Sequence, residues 1–304
     1  MWRQDAFALT SGDSIAILSY MVRVSLVVVV ALSLLIGPAG CQNEPRRQQP
    51  TWDGVKIGEL AAPPQDRLPP PQFIATARID VHLMELPADN VDRLDKLWQA
   101  LSVGPVRMSS YNAFSENSFR IRFGRAEMLG KIEDLLAEAD GQRAGTISMT
   151  VSDNETSDLP IADLPVARQI AFVGNNLSRQ AVSVGPGVLV LRMTAQPIPG
   201  ARGVRKIIAY PTYTIPLKSA IAELQSRTRK HDFYFEPAAF ACQMGPGDLV
   251  VLGPEEYTGE RVTLGGLFFN KPDGTLFFNP TKRTPPEHKT AVRVYILLCT
   301  DVSG

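Results

Sequence analysis

The sequence predicts an α+β protein: a ferredoxin-like βαββαβ module followed by a mostly antiparallel all-β domain. Three observations lead there. Residues 75–153 switch between apolar patterns of period two and period 3.6. From about residue 165 onward, short runs rich in β-branched and aromatic residues succeed one another, punctuated by Gly and Pro. An apolar content of 44% supports real cores in a chain long enough for two domains.

The elements follow in order. ATARIDVHLMEL (75–86) alternates as a strand, with Ala77, Ile79, Val81 and Leu83 on one face. Asp89 or Asn90 is placed to cap a helix whose stripe is Val91, Leu94, Leu97, Trp98 and Leu101, ended by Gly104-Pro105. Trp98 on that stripe reads as core rather than as a ligand platform. Strands are expected at 106–113 and 117–123 around a turn at SENS (115–118). A second helix is expected from Arg125 to Ala139, with Met128, Leu129, Ile132, Leu135 and Leu136 inward and Gly141 at the stop position. GTISMTVSD (145–153) closes the module, which spans 73–153. SDNETSDLPIADLP (152–165) holds a polar linker, 154–165, and the β domain covers 166–304. Its strands are RQIAFVG, VLVLRMTAQ, KIIAYPTYTI, DFYFEP, DLVVLG, RVTLGGLFF, TLFFN and AVRVYILLC. A helix is expected at 217–229, a turn at VGPG (184–187), and a hairpin turn at Asn270–Thr275.

Ahead of these lies an address. Arg23 precedes an apolar run, Val24 to Ile36, then Gly37, Ala39, Gly40 and Cys41, the order of a secretory signal over 21–40. The run is short of the roughly 20 residues that span a bilayer as a helix. Residues 1–20 fit no part of a signal and read as a gene-model extension, with translation starting at Met21. Residues 41–72 are rich in Pro, Gln and charge and read as a disordered, fairly stiff tether. Trp52 is its one large apolar residue.

Lys+Arg and Asp+Glu stand at 31 each, so no net field favours nucleic acid. Of the three cysteines, Cys242 and Cys299 could form one disulfide in an oxidising compartment, the alternative being two buried thiols. His82 is expected on the solvent face of the first strand, His231 before a strand, and His288 in a Pro-rich loop. No pair of them has metal-ligand spacing. A nucleophilic set would need His231, Asp232 and Cys242 to converge. No G-x-S-x-G occurs, and the basic run 227–230 reads as a solvated helix end. No cofactor and no catalytic activity are expected.

Two resemblances follow from residues already named. Ala39, Gly40 and Cys41 resemble the lipobox of bacterial lipoproteins, with Pro38 standing where a Leu-like residue is usual. This implies lipidation of Cys41, the alternatives being ordinary cleavage after Ala39 and an uncleaved anchor. Gly259-Glu260-Arg261-Val262-Thr263-Leu264-Gly265-Gly266-Leu267 resembles the G-[DE]-x-hydrophobic-x-hydrophobic-G-G-L stretch of bacterial secretins, the outer-membrane ring proteins. Arg261 and Thr263 depart from that pattern. The strand AVRVYILLCTDV is similar to the closing strand of that family, and VGPGVLVLRMTAQPIP with KIIAYPTYTIP looks like its opening pair. Gly265 and Gly266 within a strand would permit close backbone approach or a bulge. Together the resemblances imply an exported lipoprotein, held in the bacterial envelope by its lipid and facing the periplasm, most simply at the outer membrane. Its partners would be envelope proteins or further copies of itself. The other reading is a periplasmic small-ligand or glycan-binding module, with Tyr210, Tyr213, Phe233, Tyr234 and Phe235 lining a cleft. Alternating inward positions would make them core, and a shared exposed face would make them a site.

Overall fold

The computed structural model describes residues 75–216, 231–257, 259, 262–277 and 285–303. In chain order its strands are β1 (Thr76–Pro87), β2 (Arg107–Met108), β3 (Phe119–Arg125), β4 (Gln142–Ser152), β5 (Thr156–Leu164), β6 (Arg168–Val173), β7 (Arg179–Val184), β8 (Gly187–Ile198), β9 (Ala201–Thr214), β10 (Phe233–Tyr234), β11 (Phe240–Met244), β12 (Asp248–Pro254), β13 (Asn270–Phe277) and β14 (Glu287–Ser303). Its α-helices are α1 (Asp95–Ala100), α2 (Tyr111–Glu116), α3 (Leu129–Glu138) and α4 (Leu264–Phe269).

The fold is mostly antiparallel β with few helices. One sheet runs β3-β12-β14-β1-β4, and β13 pairs with β14 as well. A second runs β2-β11-β9-β8-β5, with β10 on β9, and β6 with β7 forms a small ribbon. The first sheet is apolar on both faces, which sets its place in the middle of three layers. Along β14, Tyr295, Leu297 and Cys299 face the core shared with the second sheet, while Val292, Val294 and Ile296 face the core shared with the helices. Within β12, Val250 and Leu252 divide from Leu249 and Val251 in the same way. α1 and α3 complete the helical layer with Leu97, Trp98, Ile132 and Leu136. Burying each such side chain contributes about 1.5–3 kcal/mol, which is why these apolar faces close on one another.

The strands of the first half do not close a sheet of their own. β1 is flanked by β14 and β4, and β3 pairs with β12, so C-terminal strands stand between β1 and β3. Residues 71–304 accordingly cluster as one compact unit. The stretch read as a linker contains β5, which pairs with β8 and buries Leu159, Ile161 and Leu164. A register shift between Pro160 and Ala162 accommodates the proline in the ladder.

Several local expectations are corrected. The first helix begins as a 3-10 turn after Pro87, with no side-chain cap, and Asn90 is buried instead. Its Nδ2 donates to the Ala139 carbonyl at 2.9 Å. Of the strand expected at 106–113 only Arg107–Met108 forms, because Ser110 accepts from the Ala113 amide and starts α2. RVTLGGLFF ends in helix α4, capped by Thr263, whose Oγ1 accepts from the Gly266 amide at 3.2 Å. All six residues of α4 are buried, so it shows no polar face and its composition mimics a strand. Residues 270–275 form a bulge within β13, at a register shift between Lys271 and Thr275, with Gly274 at φ 65°. FACQM, not expected as a strand, supplies β11. VGPG does lie at the turn between β7 and β8, and Trp98 is core, 3% exposed. The signal, Cys41, the tether, Trp52, the helix at 217–229 and the basic run at 227–230 lie outside the described residues.

Candidate functional site

Two places in the described fold are built in ways the core does not require. The first is a cleft of ≈ 450 Å³ between the end of β5, the start of β6, α4 and the β13–β14 pair. Ile161, Leu164 and Leu267 give it an apolar floor, and Asp163, Arg168, Asn270, Asp273 and Arg293 bring polar groups to it. Beneath lies Glu85, 2% exposed, on β1. Its Oε2 accepts from Thr275 Oγ1 at 2.6 Å and Lys271 Nζ at 3.0 Å, and its Oε1 accepts from Arg293 Nε at 3.3 Å. Burial works to raise the carboxyl pKa, but the hydrogen bonds and the two cations outweigh it and hold it below the ordinary value. Glu85 thereby fixes the bulged β13 against β14 and orients Arg293, which also donates to the Ile161 carbonyl at 3.1 Å. Arg168 differs from Arg293: its Nε is buried with no partner among the described residues.

The second is the edge of β4. β1 pairs with β4 through Thr76↔Ser152 to Leu83↔Gly145 without a shift, and Ala144 then bulges out before Met84↔Arg143. The Asp153 amide donates to the Ala75 carbonyl, which fixes the phase of the ladder. Odd-numbered residues from 145 to 153 therefore bond toward β1, and the N–H and C=O groups of Thr146, Ser148 and Thr150 point away from it. Ser157 Oγ donates to the Thr150 carbonyl at 2.8 Å and caps that end. Between the bulge and this cap, residues 145–149 form a run whose outward groups no described strand pairs. The run carries no charge and no proline, and Ile147 at its centre is 46% exposed. The usual means of blunting an edge are absent from it.

Other expected site residues are accounted for individually. His82 is not on a solvent face: it is 7% exposed, with Thr146 and Arg143 of β4 against its ring. Arg143 Nη2 donates to its Nδ1, and burial first, then Arg143, lower its pKa, so the ring is held neutral. His231 and His288 are exposed, and no group of three or more His, Cys, Asp or Glu among the described residues could hold a metal ion. Asp232 is committed elsewhere. Its Oδ2 accepts from Arg192 Nη1 at 2.5 Å and its Oδ1 from Thr214 Oγ1 at 2.7 Å. Arg192, 2% exposed, also makes a two-pronged pair with Asp158, both contacts at 2.7 Å, and donates to Tyr234 Oη at 3.0 Å. This network ties β5, β8, β9 and β10 together. Cys242 and Cys299 are free, buried thiols, and burial pushes their pKa values up to about 12 and about 11.

The aromatics divide by face. Tyr213 and Phe235 are buried, and Phe172 packs edge-on against Phe233 and Phe235 with centroids 5.9 Å and 5.4 Å away. Tyr210 and Tyr234 stack edge to face at 6.1 Å beside Arg192. They alternate as core and network residues rather than sharing one open face. In the segment 259–267, Gly259 has φ 70°, Glu260 lies outside the described residues, and Gly265, Gly266 and Leu267 belong to α4. A Cβ on Gly265 would stand 2.3 Å from the Asn117 carbonyl oxygen, so the close backbone approach is real, against the α2–β3 turn.

Glu85, Arg192 and the β4 edge were not singled out in the sequence. The first two had a signal: each is a lone charge inside an apolar strand run, VHLMEL and VLVLRM, where burial demands a partner. The edge had none, because its openness depends on which strands pair. No known family model, curated protein or solved structure matches this chain. No helix of the described residues is long and apolar enough to cross a membrane.

Proposed function

We propose that this chain is a non-enzymatic lipoprotein of the bacterial cell envelope, anchored through Cys41 and acting by assembly with other proteins. The observation that carries this reading is the β4 edge, an unblunted run of backbone donors and acceptors suited to strand addition. The signal and lipobox-like residues 21–41 and the Pro-rich segment 41–72 supply the address and the spacer. The succession β1-α1-β3-α3-β4 is taken as a divergent ferredoxin-like arrangement into which β14 and β12 are inserted. A distant relation to the secretin core rests on residues 259–267 and on β14, with α4 as the point of departure. The test is fractionation and crosslinking in a bacterial host. The chain is expected in the membrane fraction and in crosslinked complexes, and Cys41→Ser is expected to release it. A Cys41→Ser chain that stays membrane-bound after processing, or a wild-type chain that crosslinks to nothing, would count against the proposal.

A second reading, a binding module for a small ligand, is favoured by the cleft and by Arg168, which lines it and whose buried Nε has no partner among the described residues. A thermal-shift survey of sugars and carboxylates tests it. Binding abolished by Arg168→Ala would support it, and the absence of any shift would remove it.

A further inference from the structure

We infer that the β4 edge pairs with the β4 edge of a second copy of this chain, antiparallel across a two-fold axis at Ile147. The inference rests on the assembly reading and names its partner. The run that no described strand pairs is bounded by the bulge at Ala144 on one side and by the Ser157–Thr150 contact on the other. Its midpoint is Ile147, so an antiparallel self-pairing that uses the whole run must be centred there. In that register Thr146 lies opposite Ser148 of the other copy and Ser148 opposite its Thr146. These are the residues whose N–H and C=O groups point outward, and they would exchange about four backbone hydrogen bonds.

The side chains fit the same axis. Ile147 meets its own counterpart as a non-hydrogen-bonded pair, the closer kind, and its 46% exposed surface is covered. Gly145 meets Met149, and no charge in the run opposes a like charge. The charges beside the run are already engaged: Asp80 Oδ1 accepts from Ser148 Oγ at 2.6 Å, and Arg143 is turned to Glu133 at 3.5 Å, to Thr146 Oγ1 at 2.8 Å and to His82. The contact is isologous and closes as a dimer, which continues the first sheet from one copy into the next. It is small, so it depends on concentration, and co-anchoring two copies in one membrane supplies that.

The test uses the full chain in a bacterial envelope, oxidised mildly and run on non-reducing gels. Ile147→Cys is expected to give a disulfide-linked dimer, because a non-hydrogen-bonded pair sets the two Cα atoms within disulfide range. Met149→Cys, offset by four residues from its counterpart, is expected not to crosslink, and Cys242 and Cys299 are buried in every sample. Ile147→Lys places like charges face to face at an exposed site and is expected to lower the dimer fraction about tenfold, as read with an amine crosslinker. A wild-type chain that crosslinks to other proteins while Ile147→Cys gives no dimer overturns self-pairing and leaves the assembly reading standing. A stronger dimer with Met149→Cys than with Ile147→Cys overturns the register. A wild-type chain without any complex overturns both readings.

Discussion

Replacing Glu85 by Gln should destabilise the fold more than most single substitutions. The carboxylate is 2% exposed and is held by three donors: Thr275 at 2.6 Å, Lys271 at 3.0 Å and Arg293 at 3.3 Å. Removing one partner of a buried ion pair costs about 3–5 kcal/mol, since the remaining charge is left unpaired. Here the cations retain some water, with side-chain exposures of 29% for Lys271 and 21% for Arg293, which brings the expectation down to about 3 kcal/mol. For a unit of this size that corresponds to a fall in Tm of roughly 6–12 °C. Thermal unfolding followed by far-UV circular dichroism measures it. The pH dependence adds a second reading. The folded pKa of Glu85 lies below its ordinary value of 4.5, so its stabilisation is present above that pH and is lost as pH falls through the depressed value. The Gln variant should lack this acid-sensitive component. A fall of less than about 2 °C at neutral pH, with an unchanged acid profile, would refute the reasoning that Glu85 is the electrostatic anchor of β13.

Three further outcomes follow from the same geometry. His82, its folded pKa lowered from 6.5, should cost stability as pH drops below that value, because the unfolded chain takes up the proton first; His82→Gln should flatten the loss between pH 7 and 5.5. Gly265→Ala should destabilise by at least about 1–3 kcal/mol, since the added Cβ meets backbone at 2.3 Å, while Gly130→Ala on α3, with open space around it, should stabilise by about 0.5–1 kcal/mol. Denaturant midpoints of the pair decide this, and equal midpoints would contradict it. Cys299 and Cys242, with thiol pKa values pushed to about 11 and about 12, should react with iodoacetamide at pH 8 about a hundredfold and about a thousandfold more slowly in the folded chain than in the unfolded one; equal rates would mean the thiols are not buried.

What was legible in the sequence is what depends on local period. β1, β8, β9, β12 and β14 announce themselves by alternation or by continuous apolar runs, and the stripes Leu94-Leu97-Trp98 and Ile132-Leu136 mark the two helical segments. Pairing was not legible. β1 and β14 meet across more than 200 residues, as Thr76↔Ser303 shows, and nothing in either run says that β14 rather than β3 is its neighbour. α4 was hidden because a helix buried on every side has no polar face to betray its period. The linker at 154–165 looked polar by composition, yet Leu159, Ile161 and Leu164 turn inward and the charges turn out. For the candidate sites, Glu85 and Arg192 could have been marked as charges in apolar strands, but their partners are brought in by pairing. That no described strand pairs with β4 on its outer side is a property of the whole sheet, so no residue within 145–149 signals it.

The proposed assembly through the β4 edge can be followed by amide hydrogen exchange at Thr146, Ile147, Ser148 and Met149 as protein concentration is raised. In the single chain Ile147 and Met149 bond to β1, while the amides of Thr146 and Ser148 point away from it. Ile147 and Met149 are expected to be protected throughout, and Thr146 and Ser148 to exchange fast when dilute and to slow as concentration rises. Fast exchange at Thr146 and Ser148 at every concentration, including in isolated bacterial membranes, would contradict the proposed pairing.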